Sequence, residues 1–195
     1  AGFIQDWLDA LNSRCTPQAM ASLLERSGLQ TNPMVPTQRV TLKEIATLYQ
    51  LAAPETGDEM MGLWSRPIRP RALQHLLTVQ REASSLVSAL FRFSTFWNLL
   101  LDDFRLELRN SYEEVELSLI PCSPDTKPQR FGHMLILKLA HGLLSWLGGS
   151  ETSVKEIRFA FARPHFAADY AVVFPCPVAF DAQHTSILFD PRHFD

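Results

Sequence analysis

The sequence predicts an α+β fold, in which an N-terminal helical layer is followed by a ββ-α-ββ portion forming an antiparallel sheet packed on helices. Apolar residues recur at helical spacing through about the first hundred positions, and at Asp102 the period of the pattern drops from 3.6 to 2. A long apolar stretch over 129–147 then stands between two regions of alternation, which sets the order of the second half. Strand pairs with one wet and one dry face imply an antiparallel sheet covered by helices on the dry side.

In chain order, Phe3, Ile4, Trp7, Leu8 and Leu11 predict a short amphipathic helix over 3–14. Thr16-Pro17 is a cap followed by proline at the first helical position, and the helix it starts runs to Gly28. The two prolines of "LQTNPMVPTQR" make a connection. Thr41 with Glu44 three residues on forms a capping box, and Leu42, Ile45, Leu48 and Tyr49 form the buried stripe of the helix that follows. "PETGDEMMGLWSRPIRPRA" breaks regularity as a loop or short edge element. Helices are expected next over 71–81 and 85–101, the second with Leu86, Leu90, Phe93, Trp97 and Leu100 on one face. Phe104, Leu106 and Leu108 alternate with charged residues, as do Val115, Leu117 and Leu119 with Glu116 and Ser118, which predicts a hairpin. The helix over 129–147 stops at Gly148-Gly149. Ile157, Phe159 and Phe161 alternate again, "PHFAADYAVVF" is helical or irregular, and strands over 178–181 and 185–190 close the chain as a second hairpin. No repeat or low-complexity tract divides residues 1–195, so a single domain is expected.

Composition excludes several classes. Hydrophobic residues at 46% and charged residues at 20% are ordinary for a globular protein. A net charge of -3, from 18 basic and 21 acidic residues, gives no basic field for phosphates, so this chain alone is a poor nucleic-acid binder. Three cysteines, Cys15, Cys122 and Cys176, have no CxxC spacing and form no even framework, which fits a reducing cytoplasm. The most apolar runs are interrupted by Arg92, Lys138 and His141, and the N-terminus lacks the pattern of a signal peptide, so neither a membrane span nor export is expected.

No GxGxxG, P-loop, GxSxG or HExxH motif occurs, so no catalytic residue and no cofactor are expected. His133 and His141 share a helix but stand two turns apart, about 12 Å of rise, too far for one metal ion. The pairs Asp102-Asp103 and Glu113-Glu114 lie at element ends, where carboxylates are usually just solvated, and Cys176 in "PCP" has no visible neighbour to activate it. More informative are polar residues embedded in apolar stretches. Arg92 and Asn98 beside Phe93 and Trp97, and His133 beside Met134, could aim donors into a cavity whose walls are apolar, as a small-molecule pocket requires. Trp64, His75, Arg92, Trp97 and His133 are the candidate ligand-binding residues. The bland alternative is that each simply faces solvent.

The succession "LLERSGL", "VTLKEIATLYQLAAPETGDEMMGL", "SLVSALFRFSTFWNLL" and "KEIRFAFARPHFAADYAVVFPCPVAFDAQHTSILFD" resembles the N-terminal effector domain of AraC-type transcription regulators, in its arabinose-binding-like, non-cupin form. The last phrase is the most specific, with Tyr170, Phe174, Pro177, Val178, Phe180 and the Leu188-Phe189-Asp190 ending in the family's order. Arg163-Pro164 stands where the family has His-Pro, "RFGHM" where an acidic residue is frequent, and Phe174-Pro175-Cys176 where Phe-Gly is usual. These departures bear on the ligand more than on the fold. The resemblance implies a small-molecule effector held between the helical layer and the sheet, a homodimer, and contact with DNA only through a C-terminal helix-turn-helix domain expected beyond residue 195. The sequence does not place the dimer contact, for which an exposed apolar face of the helix over 3–11 or of that over 85–101 is a candidate. The alternatives are a ligand-free dimerisation or protein-interaction module and an α+β enzyme acting on a small metabolite.

Overall fold

Capping residues decide where the first helices begin and end. The computed structural model describes residues 2–29 and 40–194. The chain divides into two compact units, Ala1–Leu73 and Gln74–Asp195. In the first, α1 (Gly2–Asn12) buries Ile4, Trp7, Leu8 and Leu11. The Thr16 hydroxyl accepts the Ala19 N–H at 3.2 Å to start α2 (Pro17–Ser27), and Gly28, at φ +76°, ends it. Both halves of the expected capping box are present at α3 (Leu42–Thr56): Thr41 Oγ1 accepts from Glu44 N, and Glu44 Oε2 from Thr41 N at 2.7 Å. Leu48 is buried and Ile45 and Tyr49 are half-buried, whereas the expected place of Leu42 in that stripe and most of the proline-containing connection, 30–39, lie outside the described residues. The helix continues through Pro54 instead of stopping before it. A proline in the last turn forfeits a single backbone bond at a terminus that frays in any case.

Residues 57–71 are irregular, as expected, yet they are interior: Met60, Met61, Leu63, Trp64 and Ile68 are all buried. Asp58, 1% exposed, organises them. Its Oδ1 accepts the N–H groups of Met60 and Ile68 and its Oδ2 that of Gly62, each at 2.9 Å. One carboxylate thus supplies acceptors that a loop interior lacks. Gly62 has φ +80°, and a Cβ there would stand 2.5 Å from the carbonyl oxygen of Ala10 in α1, so only glycine allows this approach. Glu59 accepts the N–H groups of Arg71 and Leu73, placing a negative charge at the start of α4 (Ala72–Gln80).

In the second unit, α5 (Leu86–Leu100) starts at a Ser85 cap and buries Ala89, Leu90, Phe93, Ser94 and Trp97. The expected hairpin forms from β1 (Phe104–Asn110) and β2 (Val115–Pro121), with Leu106 opposite Leu119 and Leu108 opposite Leu117. Then come α6 (Arg130–Gly148), capped by the Gln129 side chain, β3 (Val154–Arg158), a 3-10 turn (Ala167–Asp169), α7 (Tyr170–Val173), β4 (Val178–Ala179) and β5 (Thr185–Phe189). Five strands form one sheet in the order β1-β2-β5-β3-β4, antiparallel except for β3 with β4. On it, α5 packs against β1, α6 against β5, and the two helices against each other. The dry face carries Leu106, Val115, Leu117, Leu119, Ile157, Ile187 and Phe189. The other face carries ion pairs, Arg109 with Glu116 and Arg158 with Glu156, and the register sets Glu116 and Glu156 on either side of Leu188.

The closing strands do not form the expected second hairpin. β3 lies between β4 and β5, bonded parallel to one and antiparallel to the other. The connection from β4 to β5 arches over the chain that continues β3: Asp181 N and Ala182 N donate to the carbonyls of Phe161 and Phe159, both at 3.0 Å. That extension satisfies the turn's backbone and holds the two strands apart, so adjacency in sequence does not become pairing. Phe159 and Phe161 keep the expected alternation but lie beyond the end of β3.

Candidate ligand site

Within the second unit, one polar side chain interrupts the dry face of the sheet and another interrupts the helix above it. Thr185 of β5 and His133 of α6 are both 0% exposed. Thr185 Oγ1 lies 2.7 Å from His133 Nδ1 and accepts the Ala160 N–H at 3.0 Å, so one hydroxyl ties α6, β5 and the continuation of β3 together. Burial pushes the His133 imidazole down from 6.5 to about 3, which keeps it neutral.

Rings surround this pair. Phe104 meets His133 edge-on at 4.6 Å, and Phe161 lies 6.3 Å from it. Phe159 stacks on Phe161 at 4.7 Å and touches Tyr170 at 4.9 Å, and Tyr170 meets Phe180 at 5.4 Å. Cations lie over the rim of the group. The Arg163 guanidinium stands 5.6 Å from the Phe180 ring, and the Lys138 ammonium 5.5 Å from that of Phe174 while donating to the Val173 carbonyl.

On α5, Trp97 is 0% exposed and packs edge-on against Phe93 at 6.2 Å and Phe96 at 5.2 Å. Its indole N–H meets no hydrogen-bond acceptor among the described residues. Gln80, the last residue of α4, is also 0% exposed, and neither atom of its amide is bonded among the described residues. Leaving such groups dry costs about 1–3 kcal/mol each, so they mark places where a water or a ligand would bond. His141 is anchored differently. Its Nε2–H donates to the Thr152 carbonyl at 2.9 Å, which joins α6 to the chain entering β3, and burial lowers its pKa.

The five sequence-predicted residues therefore have different surroundings. Trp97 and His133 lie in the dry interior of the second unit, each in its own group of rings. Trp64 belongs to the first unit, is buried, and its carbonyl accepts from Arg14 at 2.8 Å. His75 is exposed on α4. The Arg92 guanidinium is occupied by backbone: it donates to the Val79 carbonyl at 2.7 Å, near the end of α4. Asn98 is likewise engaged, donating to the Leu106 carbonyl at 2.9 Å and accepting the Leu106 N–H at 2.7 Å, in the manner of an added strand on the outer edge of β1. Gln80 and the rings of Phe104, Phe159, Phe161, Tyr170 and Phe180 were not among the predicted site residues. The alternation of Phe159 and Phe161 was a usable signal for the ring group, whereas nothing in the sequence distinguishes Gln80 from a surface glutamine.

Among the described residues, no group of three or more His, Cys, Asp or Glu side chains could hold a metal ion. The three cysteines are free thiols, and burial pushes the Cys176 thiol up, away from a reactive thiolate. No helix among the described residues is long and apolar enough to cross a membrane.

A family model described as the arabinose-binding domain of AraC transcription regulator, N-terminal, matches residues 18–195. No curated protein matches the chain in sequence. Seven solved chains match it in structure. One is the transcriptional regulator CdpR from Pseudomonas aeruginosa, with a TM-score of 0.50 and 17% identity over 99% of this chain and 56% of that one. At that identity the likeness speaks for the fold alone, and the chain spans little more than half of CdpR. With a family match running from α2 to the last residue, the chain belongs to the arabinose-binding N-terminal domains of AraC transcription regulators, which are regulatory and not enzymatic.

Proposed function

We propose that this chain is the effector-sensing domain of a cytoplasmic AraC-type regulator, that it binds a small metabolite, and that it acts as a homodimer on an attached helix-turn-helix domain. Residues 1–195 serve as one sensing domain in this reading. Its support is a single family match spanning parts of both compact units. The observation that carries the ligand is the presence of two fully buried polar groups, the Trp97 indole N–H and the Gln80 amide, which have no partner among the described residues. Differential binding of about 1–3 kcal/mol between two arrangements of the domain suffices to alter promoter occupancy.

The test is a thermal melt of the 195-residue chain against amino acids, organic acids, fatty acids and aromatic catabolites. A ligand at about 100 times its dissociation constant adds about 2.7 kcal/mol, a shift of roughly 5–10 °C for a chain of this size. Trp97→Phe keeps the ring packing and removes the donor, so it should weaken that shift. A cooperative melt that no compound moves would count against sensing and favour a ligand-free dimerisation module.

A further inference from the structure

Gln80 ends α4 fully buried, and neither the oxygen nor the nitrogen of its side-chain amide meets a hydrogen-bond partner among the described residues. It shares the inward face of α4 with Leu76, one turn earlier and also buried. The next helix is close at hand. The Arg92 guanidinium of α5 donates to the carbonyl of Val79, the residue before Gln80, and Phe93 beside Arg92 packs edge-on against Trp97 at 6.2 Å. The Trp97 indole N–H is a second buried group without a partner among the described residues.

Among the described residues no Lys or Arg is buried. The buried carboxylates of the second unit, Glu116 and Asp190, are paired with Arg109 and Arg192. Arg92, the charged residue of α5, has its guanidinium on the Val79 carbonyl and 3.9 Å from the Glu82 carboxylate. His133 is uncharged at neutral pH, because burial pushes its imidazole down to about 3. An ion brought in beside Gln80 would therefore lose its hydration without gaining a countercharge.

We propose that the effector presents to Gln80 an uncharged group with a donor and an acceptor side by side, a carboxamide or lactam, and that carboxylates and ammonium groups are rejected there. This names the chemical class of the ligand in the sensing function proposed above, and it rests on that function. A primary amide holds an N–H and a C=O next to each other in one plane, and an amide or lactam meets both through two parallel hydrogen bonds. A carboxylate has acceptors alone and sets an oxygen against the Gln80 carbonyl. An ammonium group has donors alone and sets one against the Gln80 amino group. Either leaves half of the buried amide unpaired, and a mismatch of that kind discriminates far more strongly than a misfit methylene does. The Trp97 N–H donates only, so a carbonyl or ether oxygen suits it, and the Phe93 and Phe96 rings against it call for an apolar body.

Calorimetric titration of the 195-residue chain with matched compounds tests this: phenylacetamide against phenylacetate, hexanamide against hexanoate, and δ-valerolactam against δ-aminovalerate. The neutral member of at least one pair should bind at least tenfold more tightly than its charged counterpart. Gln80→Met, which keeps the length of the side chain and removes both polar atoms, should weaken that binding at least tenfold. The pairs are compared on the parent chain, so they decide the matter even if the variant folds poorly. A dry, unpaired amide adds no stability, so Gln80→Met should melt no lower than the parent. A lower melt shows that the amide is already satisfied inside the fold, by a fixed water for instance, and overturns the inference. Charged members that bind as tightly as neutral ones, or neutral binding that Gln80→Met leaves intact, overturn it too while the sensing function stands. A chain that binds no member of any pair also overturns it, and the wider melt panel then reads whether sensing falls with it.

Discussion

Acidification should destabilise this protein through His133. In the folded chain burial holds the imidazole at about 3, against 6.5 when solvated. Between those values the unfolded chain takes up a proton that the folded chain refuses, so stability is complete above about pH 6.5 and falls as pH is lowered towards 3. At about pH 5.5 the loss from this one group is about 1.4 kcal/mol relative to neutral pH, or roughly 3–6 °C in Tm for a chain of this length. Thr185, Phe104 and Phe161, which pack against the ring, are themselves uncharged. The assay is a set of thermal melts at about pH 7.5 and 5.5 on the parent and on His133→Asn, whose amide can still meet the Thr185 hydroxyl but does not titrate. The substitution lowers stability at both pH values, and comparing the two pH-dependent losses removes that cost. The loss should shrink by about 1.4 kcal/mol in the variant. What remains belongs to the other groups, among them His141, whose pKa burial also lowers. Equal losses in parent and variant would refute the account of a buried, neutral His133.

Three further outcomes follow from hydrogen bonds and close contacts. Asn98→Ala removes both bonds to the Leu106 backbone and should cost about 1–3 kcal/mol, with faster amide exchange at Leu106 as the local signature. Asp58→Asn replaces one of the two carboxylate oxygens by a donor facing backbone N–H groups, and should cost about 2–4 kcal/mol in a urea or thermal melt where a solvated aspartate would cost almost nothing. Gly62→Ala, with its Cβ forced against the Ala10 carbonyl, should cost about 2–4 kcal/mol, whereas Gly57→Ala, also at positive φ but with open space around it, should cost only about 1–2 kcal/mol. Equal costs for the two glycines would mean that backbone conformation, and not the contact with α1, sets the requirement at Gly62.

Helix limits and the first hairpin were legible because they depend on neighbours in the chain. Thr16, Thr41 and Ser85 cap helices through groups three residues away, Gly28 and Gly149 end them in the left-handed region, and the alternation from Phe104 to Leu119 assigns each side chain to a face whatever lies beyond. The membership of the chain in its family was legible for a related reason: Tyr170, Phe174 and Phe180 stand at set intervals in one stretch, and the same stretch builds the rings around Phe159. The order of the strands was not. β4 has two residues, and whether it pairs with β5 or with β3 turns on the backbone bonds that Phe159 and Phe161 make with the connection, contacts about twenty residues apart that no local pattern encodes.

The candidate site shows the same division. The sequence by itself determined which residues are polar in apolar surroundings, because type and spacing along one helix suffice for that, and Trp97 and His133 are indeed buried. Only the tertiary structure decided what each polar group meets. Arg92 and Asn98 look like donors awaiting a ligand, yet one is taken by the Val79 carbonyl and the other by the edge of β1, while Gln80, unremarked in the sequence, is enclosed with its amide unbonded among the described residues. A hydrogen bond is settled within a few tenths of an ångström and by direction as well as distance, and that precision exists only after distant segments have packed.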